Sequence, residues 1–297
     1  MKILLLGNLG QLGWELQRTL APLGNLVALD FPEIDLTKDD TIRRVIFEVQ
    51  PTVVINATAY TAVDRAESEP DKAFAVNGAA PAILAETARE CGALLIHYST
   101  DYIYDGMKGS PYIESDIPNP LCVYGASKLA GENAIQQIGG SYLILRTSWV
   151  YSLRRPSFVT KVLEWSRKQE SLRLVTDQIA NPTWARMLAE WTALLLAKAA
   201  PEVSVWLADR IGVYHLAGSG YASRYEWGQA ILENDPKKEE QTARSLLPAL
   251  TEQFPSPATR PLFSALDCSK AERIFGFSLP DWRIALNLAL SELTPPS

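Results

Sequence analysis

Tyr124 and Lys128 are the first residues in this sequence whose types and spacing suggest chemistry. They stand in Tyr-Gly-Ala-Ser-Lys on a helix-like segment, and a spacing of four puts both on one helix face. An ammonium there favours phenolate over phenol, so Lys128 is expected to lower the Tyr124 pKa from its usual ~10 toward working pH. Such a tyrosine gives or takes a proton at a carbonyl oxygen or a hydroxyl. Thr100 follows the apolar run Ala93–His97, at a strand's carboxyl end, and its hydroxyl can hydrogen-bond the same oxygen. A Tyr-x-x-x-Lys spacing alone arises often by chance; its company gives it weight.

That company is a glycine turn. Gly7, Gly10 and Gly13 follow the first apolar run and open a helix, spaced Gly-x-x-Gly-x-x-Gly. A tight turn needs positions without Cβ, and a pyrophosphate needs backbone N–H groups at a helix N-terminus. Strand before and helix after are the context the motif requires. Asp30, about 20 positions on, suits an adenosine ribose 2′-OH and would repel a 2′-phosphate, which favours NAD. Asp35 and Leu36 lie where an adenine contact could form.

The elements that must position these residues alternate. Strands are expected at Ile3–Leu6, Leu26–Leu29, Val53–Ile55, Ala93–His97 and Tyr142–Leu145, with helices at Gln11–Leu20, Asp39–Glu48, Pro70–Cys91 and Leu121–Ile138. This is α/β, a doubly wound parallel sheet of the Rossmann type. Beyond residue 150 the pattern loosens. Strands are expected at Leu172–Val175 and Val213–Leu216, and helices at Trp184–Lys198, Ser223–Glu233, Ala271–Phe275 and Trp282–Leu293. Asp235–Gln241 reads as a loop, Phe254–Pro261 as irregular, and the closing Thr-Pro-Pro-Ser as a frayed tail. Residues 1–150 are therefore expected to hold a dinucleotide, with later segments returning to that domain, and 151–297 to form mainly a smaller, discontinuous substrate lobe.

Composition narrows the field. The chain has 297 residues, 47% hydrophobic and 21% charged, which rules out wholesale disorder. A net charge of -6 argues against a nucleic-acid partner. No apolar run reaches the ~18 residues of a membrane span, and no leader precedes the first strand, so a cytoplasmic protein without membrane contact is expected. Three scattered cysteines, Cys91, Cys122 and Cys268, and two histidines argue against disulfides and a resident metal. Cys122 reads as an apolar filler, His97 as mainly structural, and His215 as a packed strand residue.

Longer blocks carry a resemblance. Gly-Asn-Leu-Gly-Gln-Leu-Gly-Trp-Glu-Leu (7–16), Asn-Ala-Thr-Ala-Tyr-Thr-Ala-Val-Asp-Arg-Ala-Glu (56–67), Ser-Thr-Asp-Tyr-Ile-Tyr-Asp-Gly (99–106), Tyr-Gly-Ala-Ser-Lys-Leu-Ala-Gly-Glu (124–132), Arg-Thr-Ser-Trp-Val-Tyr (146–151), Asp-Gln-Ile-Ala-Asn-Pro-Thr (177–183), Tyr-His-Leu-Ala-Gly (214–218) and Arg260-Pro261 resemble the extended short-chain dehydrogenase/reductases over nearly the whole chain. The likeness is greatest to the branch that reduces the C4 ketone of dTDP-4-dehydro-β-L-rhamnose in the last step of dTDP-L-rhamnose synthesis. The resemblance implies Thr100, Tyr124 and Lys128 as the catalytic set. It implies that Gly7, Gly10, Gln11, Leu12, Gly13 and Asp30 hold the dinucleotide, with Ala57, Thr58, Ala59 and Tyr60 on its nicotinamide side, Asn77 nearby, and Lys128 on the nicotinamide ribose. Val63, Asp101, Tyr102 and Trp149 would shape the sugar pocket, and Pro182, Thr183 and Arg260 would face the substrate's nucleotide, Arg260 suiting a diphosphate. The implied cofactor is NADPH or NADH, and the implied substrate a dTDP-sugar.

The sequence also departs from the family. Ala180 replaces the glycine of an Asp-Gln-x-Gly pattern, so a loop needing positive φ there would have to adjust. Some members dimerise through Mg²⁺ held by carboxylates. Glu15 and Glu292 could supply two, although both read more simply as surface acids. The further position expected on the helix after Thr183 is Arg186, a poor ligand for a hard metal. Magnesium-dependent dimerisation is therefore expected to be weakened or absent, leaving monomer or homodimer open. Two rival functions stay open: a nucleotide-sugar dehydratase or epimerase, and a non-catalytic subunit resembling the regulatory subunit of methionine adenosyltransferase. The first is disfavoured because Tyr102, not glutamate, follows Asp101.

Overall fold

A computed structural model describes residues 1–200 and 202–293; the tail expected for the closing Thr-Pro-Pro-Ser lies outside the described residues. In chain order the elements are β1 (Lys2–Leu6), α1 (Gln11–Leu20), β2 (Asn25–Leu29), α2 (Asp39–Val49), β3 (Val53–Asn56), α3 (Val63–Ala66), α4 (Pro70–Phe74), α5 (Ala80–Glu90), β4 (Leu94–Thr100), α6 (Val123–Ile138) and β5 (Tyr142–Thr147). They continue with β6 (Val150–Tyr151), α7 (Phe158–Lys168), β7 (Ser171–Val175), β8 (Ile179–Ala180), β9 (Thr183–Trp184), α8 (Ala185–Ala199), α9 (Val203–Leu207), β10 (Gly212–His215), β11 (Ala222–Ser223), α10 (Arg224–Glu233), β12 (Ser245–Ala249), α11 (Ser269–Phe275) and α12 (Trp282–Ser291).

Six strands form one parallel sheet in the order β10-β5-β4-β3-β1-β2. Ile3, Leu4, Leu5 and Leu6 are wholly buried because helices cover both faces. Odd-numbered β1 residues pack toward α1 and α8, and even-numbered ones toward α2 and α5. Each such side chain contributes roughly 1.5–3 kcal/mol by leaving water. The strand order reverses between β1 and β3, and parallel sheets bind ligands at the carboxyl ends beside such a reversal.

The helix expected over Pro70–Cys91 runs from Pro70 to Glu90 and is irregular only in its middle. A π-turn at Ala75–Ala79 separates α4 from α5. It turns Asn77 toward the loop after β3, and Pro81 has no N–H to continue the ladder. Strand β4 runs on to Thr100, further than expected. The parallel pair β7–β12 and the short α9 were not anticipated. Ala180 pairs with Ala222 in an antiparallel β8–β11 ladder, and its φ is not positive, so no glycine is needed there.

A further apolar cluster gathers Tyr151, Val162, Leu174, Trp184, Trp227, Trp282 and Leu286 from β6, α7, β7, β9, α10 and α12. Helix α10 starts in a capping box, with Ser223 Oγ accepting from Glu226 N at 3.1 Å and Ser223 N donating to Glu226 Oε2 at 2.7 Å. Among the described residues no helix is long and apolar enough to cross a membrane.

Candidate active site

A cleft of about 850 Å³ opens at the carboxyl ends of β1, β3, β4 and β5. It brings together Gly7, Gly10, Gln11, Leu12, Asp30, Ala57, Thr58, Ala59, Val63, Thr100, Asp101, Tyr102, Tyr124, Lys128 and Trp149. Thr100, Tyr124 and Lys128 and the glycine turn, distant in sequence, thus share one cavity.

The glycine turn is built by close approach. Gly7 has φ +88°, and a Cβ there would meet the Ala57 backbone at 2.9 Å; one at Gly13 would sit 1.9 Å from Gly7 O. Gly13 does not line the cleft; its smoothness seats α1 on the turn. Among the described residues no side chain caps α1 and no acid stands in its first turn. Asn8 Oδ1, Gln11 Oε1, Ser99 Oγ and Thr147 Oγ1 are buried without hydrogen-bond partners among the described residues. An uncapped helix start and a cradle that Cβ atoms would fill fit a dinucleotide pyrophosphate. Asp30 accepts from Leu9 N at 3.0 Å and Phe31 N at 2.8 Å, so its carboxylate also holds the turn.

Several expected site residues are not among those lining this cleft. Asp35 accepts from Thr37 N and Oγ1 and pairs with Lys38, closing its own loop, while Leu36 packs on the core beneath β2. Neither lines the cleft. Tyr60 and Asn77 stand behind it: Asn77 Oδ1 accepts from Tyr60 N at 2.8 Å, and Nδ2 donates to Tyr60 O and Ser127 Oγ. Asn77 therefore ties the post-β3 loop to α6. Pro182 and Thr183 are buried, with the Thr183 hydroxyl bridging Asn181 O and Gly218 N. Arg260 sits beside the cleft wall, its Nη2 on Asp64 Oδ2 at 2.8 Å.

Helix α6 carries Tyr124 and Lys128. Its first N–H, from Val123, donates to Glu67 Oε1 at 2.8 Å. Gly125 lets the helix lie against the Tyr102 carbonyl, which a Cβ would approach to 2.2 Å. The Tyr102 and Tyr124 rings meet edge to face at 5.6 Å. Further along α6, Glu132 accepts a buried fork from Arg146 of β5, at 2.7 to 3.1 Å. Removing one partner would leave a buried charge, a loss of roughly 3–5 kcal/mol.

The electrostatics correct one expectation. Burial pushes the Tyr124 phenol above its ordinary range, and the bond with Thr100 only partly offsets this. Lys128 is itself 1% exposed and pushed down to about 8 by burial, so its charge does not outweigh the effect of burial on the phenol. Its Nζ donates to Tyr98 O at 2.7 Å and lies 3.2 Å from His97 Nε2. Asp101 is wholly buried and its carboxyl is raised to about 6 by burial, against hydrogen bonds from Ser264, Ser148 and Thr100.

Arg224 lines the cleft and was missed. Its guanidinium lies 3.6 Å from the centre of the Trp149 ring, which stacks on Trp227. Burial lowers its pKa to about 10, and no carboxylate pairs with it among the described residues. Trp149 holds φ +39°, a strained backbone costing about 1–3 kcal/mol that this stack sustains. The only signal in the sequence was a cation beginning an expected helix, which is common on any surface.

Glu15 is not a surface acid as expected; it is 7% exposed, and burial and Glu292 raise its pKa while Arg186 lowers it. Arg186 bonds Glu190 at 2.9 Å and Glu292 at 2.6 Å. Among the described residues no group of three His, Cys, Asp or Glu side chains is arranged to hold a metal ion. His215 is buried among Tyr104, Tyr112 and Asp267, and burial also raises the Cys122 thiol, as packed residues should behave.

Comparison with known proteins agrees with this geometry. The family model described as RmlD substrate binding domain matches residues 1–294. The chain is 43% identical to a dTDP-4-dehydrorhamnose reductase of Burkholderia thailandensis, covering 99% of each. It is 40% identical to the Escherichia coli K12 enzyme of that name, over 99% of this chain and 98% of the other. A Bacillus anthracis dTDP-4-dehydrorhamnose reductase solved in complex with NADP superposes with a TM-score of 0.88 at 31% identity, covering 98% of this chain and all of that one. With its whole length matched and its cleft built on the same doubly wound sheet, the chain belongs to the RmlD substrate-binding-domain family of reductases.

Proposed function

We propose that this protein reduces the C4 ketone of dTDP-4-dehydro-β-L-rhamnose to dTDP-L-rhamnose, with NADPH or NADH as the reductant. The observation that carries the reading is the convergence of Thr100, Tyr124 and Lys128 with the glycine turn on one cleft, in a chain whose relatives of like length bear the reductase name. When bound, the reduced nicotinamide supplies the hydride. The glycine turn and the open N–H groups of α1 would take its pyrophosphate, with Asp30 toward the adenosine ribose and Ala57, Thr58 and Ala59 along the inner wall.

Tyr124 donates its proton to the oxygen that gains charge as the ketone is reduced. Thr100 accepts from Tyr102 N at 3.2 Å, which positions its oxygen, and its one hydrogen, given to Asp101 at 3.2 Å in the free cleft, would turn to the ketone oxygen when the ketone is bound. Lys128, when charged, stabilises the phenolate that remains. Trp149, Val63, Tyr102 and Asp101 would bound the sugar, and Arg224, with Arg260 behind it, would meet the diphosphate. Tyr102 occupies the position where a dehydratase would carry its glutamate, and its ring packs on Tyr124 instead. In keeping with this division, residues 1–150 and the returning α8 and β10 serve the dinucleotide, and the rest chiefly the sugar nucleotide. We place the enzyme in the cytoplasm and leave a monomer or a homodimer equally compatible with this chemistry.

The test is NADPH oxidation by dTDP-4-dehydrorhamnose with wild type and Tyr124→Phe. The variant is expected to lose on the order of 10²- to 10⁴-fold in kcat with NADPH affinity preserved. Turnover indifferent to the lost phenol would overturn the mechanism.

A further inference from the structure

His97 is placed to do more than pack. It sits opposite Asn56 in the β3–β4 register, and Asn56, His97 and Lys128 are each 1% exposed. Asn56 Oδ1 accepts from Thr58 N at 3.1 Å and Thr58 Oγ1 at 2.5 Å. A backbone N–H cannot turn into an acceptor, so the amide's oxygen is fixed toward Thr58. Its Nδ2 is thereby fixed toward His97 Nδ1, 3.0 Å away. A neutral imidazole that accepts at Nδ1 carries its proton on Nε2. That Nε2 is 3.2 Å from Lys128 Nζ.

An amine can accept the Nε2–H with its lone pair while donating to Tyr98 O. An ammonium has no lone pair, so its hydrogens confront the Nε2–H. The other groups around Lys128 do little to restore the charge. Glu132 favours it but is forked onto Arg146; Tyr124 is a protonated phenol; Asp101 is engaged by Ser148, Ser264 and Thr100. We propose that Asn56 and His97 lock an imidazole tautomer that opposes charging of Lys128, so that loss of the Lys128 charge sets the alkaline limb of the reaction. His97 is on this account a positioning residue acting through the lysine. Burial of His97 and Lys128 acts in the same direction, pressing both away from their charged forms. As pH rises and Lys128 loses its proton, the phenolate left by proton donation loses its stabilising cation.

The kinetic half rests on the reductase reading; the tautomer does not. The chain has only two histidines, so ¹⁵N-histidine NMR resolves both. His215 Nδ1 faces the carbonyls of Tyr112 and Asp267 at 3.0 and 3.2 Å, so it serves as an Nδ1–H reference. His97 is expected as Nε2–H. In Asn56→Asp a carboxylate oxygen would face Nδ1, switching His97 to Nδ1–H and offering Nε2 to the ammonium. The midpoint of the alkaline limb of kcat/KM should then rise by about one pH unit, a tenfold change in proton concentration. An Nδ1–H His97 in the unaltered protein overturns the proposal, and so does a limb that stays in place after the switch. Should Asn56→Asp not fold, His97→Gln, whose amide can present oxygen to Lys128, is expected to give the same upward shift, and an unmoved limb overturns it. Absence of any turnover would instead sink the reductase reading while the spectrum still decides the tautomer.

Discussion

The two ends of the cleft work by different physics. At the glycine turn the ligand surface is backbone, and its specification is steric: Gly7 and Gly13 are where a single methyl would collide with main chain. At the sugar end the surface is side chain, and its specification is electrostatic, with Asp101, Tyr124, Lys128 and Arg224 all displaced from their ordinary pKa values by burial. The first end should therefore be intolerant of size and indifferent to pH. The second should tolerate some changes of size and respond to every change of charge.

The sharpest way to break this contrast is Gly13→Ala. Its Cβ would meet Gly7 O at 1.9 Å, and no side-chain rotation relieves a backbone clash. NADPH affinity, followed by fluorescence titration, should fall roughly 100-fold or more, as expected from losing several charge-assisted bonds to the pyrophosphate, equally at pH 6 and pH 9. Undiminished affinity would show that the turn is not the anion cradle.

Next is Arg224→Ala. If this cation meets the diphosphate, KM for the sugar nucleotide should rise roughly 10- to 100-fold with NADPH affinity unchanged. Arg260→Ala should do less, because Asp64 already neutralises Arg260 at 2.8 Å. The reverse ranking would return the diphosphate to Arg260.

The same asymmetry explains what could be read in the sequence. The glycine turn is a short-range constraint of strand, turn and helix within about a dozen residues, so its register is visible in the string Leu6 to Gly13. Tyr124 and Lys128 are neighbours on one helix, and their pairing follows from helical period alone. Arg224 acquires meaning only because α10 is brought against Trp149, and nothing local signals that contact. Asn77 and Tyr60 were legible as belonging near the site, but not that their polar groups would be spent on each other. The pKa of Tyr124 was misjudged for a related reason: spacing gives proximity to a cation, while the depth of burial that governs both groups is set by the packing of β4 on α6. The β7–β12 pair escaped because its strands, Ser171–Val175 and Ser245–Ala249, are far apart in the chain and Pro248 interrupts the second.

The smallest expected effect concerns stability at the sugar end. Burial raises the Asp101 carboxyl from 3.8 to about 6, so between those values the folded state binds a proton that the unfolded chain has released. Stability is undiminished below pH 3.8, falls as pH rises through about 6, and keeps the full penalty above it. Asp101→Asn should then raise Tm at pH 8 by a few degrees, on the order of 5 °C, and leave it unchanged near pH 3.5. A gain equal at both pH values would mean that the charge is not what the fold opposes.

The central claim is that this cleft joins a nicotinamide to a sugar ketone. Transfer of label from NADPH deuterated at nicotinamide C4 tests it most directly. With dTDP-4-dehydrorhamnose the deuterium should appear at sugar C4, from one of the two C4 epimers of the labelled cofactor and not the other. Label that never leaves the dinucleotide, or that arrives at another sugar carbon, would contradict the account.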